Sequence, residues 1–81
     1  MATSTNVLST ARAEVLFVSD MSASARAGRS EVDAAIRAAV RARGGVRPCA
    51  AEMAAAYGDR PETAAARMSW ARDVVRAVYH R

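Results

Sequence analysis

The chain has 81 residues, a net charge of +4 and a pI near 10.6, which describes one small basic domain with room for a single modest core. All 12 basic residues are arginine, and the 52% hydrophobic content is largely alanine, so the basicity reads partly as base composition and is compatible with nucleic acid without requiring it. A lone Cys49 excludes an internal disulfide and a cysteine-built metal centre, and no apolar run approaches the roughly 18 residues that cross a membrane.

Residues 1–9 are small and polar and read as a flexible N-terminus, without the basic start and apolar run of a secretion signal. The expected setting is soluble and cytoplasmic. A first helix is predicted over about 10–21 from the spacing of Ala11, Val15 and Val18, although the run VLFV is also β-prone. A strand there would have no partner strand, which favours helix. Ser22–Arg29 is a small-residue linker.

A second helix is predicted over 30–43. Ser30 and Asp33 form an S-x-x-D capping box, Val32, Ile36 and Val40 make the apolar stripe, and Asp33 can pair with Arg37. Gly44-Gly45 stops it. The third helix is expected over 48–57, with Pro48 in its first turn, Cys49, Met53, Ala56 and Tyr57 facing inward, and Gly58 as its terminator. The fourth is expected over 60–79, capped by Asp59 with Glu62 in a D-x-x-E box around Pro61. At 100° per residue, Ala64, Met68, Ala71, Val75, Val78 and Tyr79 share one face of that helix. The predicted fold is all-α: a compact bundle of about four helices in one domain, 10–81.

The stretch AEMAAAYGDRPETAAARMSWARDVV, residues 51–75, resembles the helix-turn-helix of sigma-factor region 4 and of response-regulator output domains. Ala54 and Gly58 match the first helix and turn of that pattern; Thr63, Arg67, Ala71 and Arg72 match the second helix. The whole chain is also similar to short actinobacterial proteins rich in Ala and Arg that carry a comparable G-D-x-P-E-T-A-x-A-R-M-x-W-A-R stretch, a similarity that brings no activity with it. The first resemblance implies a small regulatory protein acting in transcription.

Two functional readings stay open. In one, DNA is held largely through its phosphates by Arg47, Arg60, Arg67, Arg72 and Arg76. Base reading is poorly supported, because the outer face of the last helix carries Glu62, Ser69 and Asp73 where a major-groove helix presents Arg, Lys, Asn or Gln. In the other, the chain is a protein-interaction or homodimerisation module that contacts its partner through Leu16, Phe17, Trp70 and Val74. An enzyme is not expected. His80 is the only histidine, near a chain end expected to be mobile, and no nucleophile–base pair, metal-ligand cluster or phosphate-cradling loop is visible. No cofactor is implied.

Overall fold

The computed structural model describes the backbone of residues 2–80 and the side chains of residues 7–80. Among these residues the chain is four helices and no strand: α1 (Ala2–Val18), α2 (Arg29–Arg43), α3 (Val46–Asp59) and α4 (Pro61–Tyr79). Helix α1 packs against each of the other three, while α3 also meets α2 and α4. The core therefore gathers around the second half of α1. Val15, Leu16, Phe17 and Val18 are all buried there, which explains the VLFV run. Four consecutive apolar residues suit a helix whose end is enclosed on every side.

Helix α1 begins at Ala2, where the sequence places its start at Thr10, and ends at Val18, three residues before the expected Met21. The early stop has a local cause. Ser19 turns its hydroxyl back to donate to the Leu16 carbonyl at 2.7 Å, and its backbone N–H donates to the same oxygen at 3.1 Å. The last carbonyls of α1 are thus satisfied without another helical turn.

The cap of α2 lies two residues upstream of the expected Ser30. Gly28 holds the N-cap position, and its N–H donates to Glu31 Oε1 at 2.9 Å. Asp33, released from capping, faces Arg29 at 4.0 Å in place of the expected Arg37. The Gly44-Gly45 stop forms as expected. Gly44 adopts φ +86°, and both glycine N–H groups donate to the Val40 carbonyl at 2.9 Å. Beyond it, Arg43 clasps Glu52 through two contacts of 2.8 and 3.4 Å and ties α2 to α3. That hydrogen bond raises the Arg43 guanidinium above its ordinary pKa.

Gly58 does not end α3. It stays helical, with no positive φ, and the helix runs on through Asp59. A helical Asp59 cannot take the extended backbone of an N-cap, so the expected box with Glu62 does not form. Arg60 is the only residue between α3 and α4, at φ −141° and ψ 77°, and no side chain caps the entry to α4. Its N–H donates to the Ala56 carbonyl at 2.8 Å, and its own carbonyl accepts from Ala64 at 2.9 Å. Pro61 occupies the first position of α4 as expected. The inward face of α4 follows the predicted stripe: Ala64, Met68, Ala71 and Val75 are buried, with Val78 and Tyr79 packed beside them.

Candidate phosphate-contact site

The five arginines singled out from the sequence fall into three groups. Arg47, at the start of α3, and Arg60, at the α3–α4 corner, are exposed and lie on different parts of the surface. Arg60 and Arg76 are separated by 16 positions, about 24 Å along a helix axis.

Arg67 points inward. Its Nε donates to the Phe17 carbonyl at 2.9 Å, and Nη2 reaches the carbonyls of Ser19 at 3.1 Å and Leu16 at 3.4 Å. The guanidinium therefore caps the C-terminus of α1, where the helix dipole favours a cation. Burial lowers its pKa from the ordinary arginine value. The other side of the group lies 4.1 Å from the Trp70 ring centroid. With Nε and Nη2 committed to three carbonyls, Arg67 is held against the end of α1 and apart from the Arg72–Arg76 pair.

Arg72 and Arg76 are brought together. One helical turn apart on α4, they line a cleft of about 400 Å³ together with Ser9 and Thr10 of α1, His80, and the apolar Ala13 and Val75. Ala13 and Val75 are buried, so the floor is apolar and the rim carries the donors. Ser9 Oγ and His80 Nε2 share a hydrogen bond at 2.5 Å. Among the described residues no carboxylate lines the cleft. The nearest acidic partner is Asp73, which meets Arg76 at 3.3 Å on the open surface with both side chains about 70% exposed. Such a pair is worth little in water and yields readily to a competing anion. Arg72 makes no ion pair among the described residues.

The residues expected to meet a protein partner fare unevenly. Leu16 is fully buried and Phe17 only 8% exposed, so their apolar area is already used within the chain and neither presents an outer surface. Phe17 stacks on Tyr57 at 6.1 Å between centroids. Tyr57 itself was expected to face inward but sits at the edge of the core, 36% exposed. Trp70 and Val74 are half-buried against the core, Trp70 beneath the Arg67 guanidinium.

One cluster was invisible in the sequence. The Tyr79 ring has the Arg12 guanidinium 3.8 Å from its centroid and the Arg29 guanidinium at 5.1 Å, while its hydroxyl donates to Asp33 Oδ1. Burial, helped by the carboxylate, pushes the Tyr79 hydroxyl up to about 12. The cluster locks α1, α2 and α4 together at the end of the bundle that carries the cleft. Cys49, by contrast, behaves as read: it is fully buried, its Sγ 3.7 Å from the Ala39 carbonyl, with burial raising the thiol pKa.

No group of metal-ligating side chains is found among the described residues, and no helix there is long and apolar enough to cross a membrane. Compared with protein-family models, with curated proteins and with solved structures, the chain gives no match.

Proposed function

We propose that this protein is a small regulatory module that acts in transcription by holding nucleic acid through its phosphates, with Arg72 and Arg76 as principal contacts and Arg47 and Arg60 as outlying ones. The observation that carries the reading is the α1–α4 cleft, where two guanidiniums, an imidazole and two hydroxyls converge with no carboxylate among them. Phosphate contacts of this kind position a protein without reading sequence. The small and acidic outer face of α4, with Glu62, Ser69 and Asp73 exposed, agrees with binding that is indifferent to bases. The single-residue connector at Arg60 points the same way, being shorter than the three- to four-residue turn usual in groove-reading helix pairs.

The test is anisotropy of a labelled duplex titrated with the protein over a range of salt. Affinity falls as salt rises, through counterion release, and the double variant Arg72→Gln/Arg76→Gln flattens the log–log slope by about 2. Absence of binding at low salt rejects the reading.

A second reading, self-association or docking of a protein partner, is favoured by a different observation. Val7 and Leu8 are 65% and 51% exposed on α1. On that reading sedimentation is concentration-dependent and Leu8→Ser weakens the association; a strict monomer at all concentrations removes the homodimer.

A further inference from the structure

We infer that the α1–α4 cleft is a seat for a terminal phosphate, the monoester group at the end of a nucleic-acid strand or on a free nucleotide, in preference to an internal diester. This rests on the reading of Arg72 and Arg76 as phosphate contacts and adds the chemical form of the phosphate they select.

The donor set is the first argument. Arg72, Arg76, Ser9, Thr10 and His80 surround one concavity. An internal diester offers two unbridged oxygens and one negative charge, and two arginine forks alone saturate it. A monoester offers three unbridged oxygens and a charge of about −1.5 to −2 at neutral pH. It therefore gives a partner to the hydroxyls as well as to both guanidiniums, in charge-assisted and bidentate bonds.

Shape is the second argument. The cleft is floored by Ala13 and Val75, 3% and 2% exposed, and the Ser9–His80 hydrogen bond joins two of its lining residues. A strand end enters such a recess by its terminal group. A continuous backbone must leave on both sides and brings only two unbridged oxygens to the same donors. The third argument is charge: the described lining residues carry no carboxylate, and the acidic neighbour Asp73 meets Arg76 in an exposed pair at 3.3 Å that a dianion displaces more readily than a monoanion.

Two probes test the inference on the full chain. A short blunt duplex is compared with and without 5′-phosphates, and a nucleoside monophosphate is compared with its nucleoside by amide NMR shifts. The 5′-phosphorylated duplex is expected to bind on the order of tenfold more tightly, the gain of one further charge-assisted hydrogen-bond set. The monophosphate, and not the nucleoside, is expected to move the amides of Ser9, Thr10, Arg76 and His80. Arg72→Gln/Arg76→Gln removes both effects, whereas Arg37→Gln on the exposed face of α2 retains them, with helical content checked by circular dichroism. Equal affinity for the two duplexes together with unmoved amides overturns the terminal-phosphate inference and leaves salt-dependent backbone binding standing. A phosphate preference that survives the double arginine variant also overturns it. Monophosphate binding without duplex binding at any salt upholds the inference, identifies a free nucleotide as the source, and removes the nucleic-acid reading.

Discussion

Arg67 donates from Nε to the carbonyl of Phe17 at 2.9 Å, so a side chain of α4 finishes a helix 50 residues earlier in the sequence. Together with the contacts to Ser19 and Leu16 it makes one guanidinium the cap of α1. Arg67→Met keeps most of the aliphatic stem and loses the donors. The expected cost is about 1.5–3 kcal/mol, the range for hydrogen bonds that involve a charged group. Urea unfolding measures it. Arg67→Lys recovers only part of the loss, because an ammonium cannot reproduce the planar fork. An unchanged midpoint for Arg67→Met would show that the cap contributes nothing.

Tyr79 makes the protein sensitive to alkali. Its hydroxyl, ordinarily near 10.0, is raised to about 12 in the fold. The folded state therefore holds the proton more tightly than the unfolded chain. The stabilisation is fully present below about pH 10 and disappears as pH rises through 12. In a Tyr57→Phe background Tyr79 is the only tyrosine, and its tyrosinate absorbance reports the titration directly. A midpoint near 10 in the folded protein contradicts the burial described for the ring.

Two glycines respond in opposite directions to alanine. Gly44 sits at φ +86°, where a Cβ is strained, so Gly44→Ala costs about 1 kcal/mol. Gly58 lies within α3 with no atom within 4 Å of an added Cβ. Gly58→Ala is therefore expected to stabilise by about 0.4–1 kcal/mol. Thermal unfolding of both variants checks the pair. A destabilised Gly58→Ala would indicate that α3 ends at Gly58 after all.

Leu16 has no exposed surface, and its truncation leaves a cavity in the core around the end of α1. Leu16→Ala is expected to cost about 2–5 kcal/mol. Against the roughly 5–15 kcal/mol typical of whole domains, that leaves a protein near its unfolding threshold. Circular dichroism at rising temperature decides the matter: a melting curve like that of the parent chain is the contrary result.

How much of this was legible in the sequence depended on whether the cause was local. The buried face of α4 could be read because its apolar residues recur at helical spacing and nothing distant alters that period. The end of α1 could not, because the groups that finish it are a Ser19 hydroxyl and an arginine from another helix. The Asp59 box failed for a smaller reason. Gly58 is permitted to stop a helix but is not obliged to, and α3 ran one residue further than the box allows. The site divides in the same way. Arg72 and Arg76 are one turn apart, so their adjacency is written in the sequence. Ser9, Thr10 and His80 join them only through the packing of α1 on α4. The sequence offers Arg67 as a phosphate contact because periodicity says which way a helix faces, not which carbonyls wait across an interface.

The central position of α1 bears on how the protein is made. Synthesis delivers α1 first, and its enclosed end, Val15 to Val18, has no surroundings until the rest of the chain follows. Residues 61–79 supply the α4 wall and Arg67, and they emerge last of the four helices. A nascent chain paused after α3 thus has α2 and α3 to cover that segment but lacks its α4 side, which stays open to chaperones and proteases. The core around the end of α1 is complete only once residues 61–79 are present, so the last of the four helices to be made finishes the surroundings of the first.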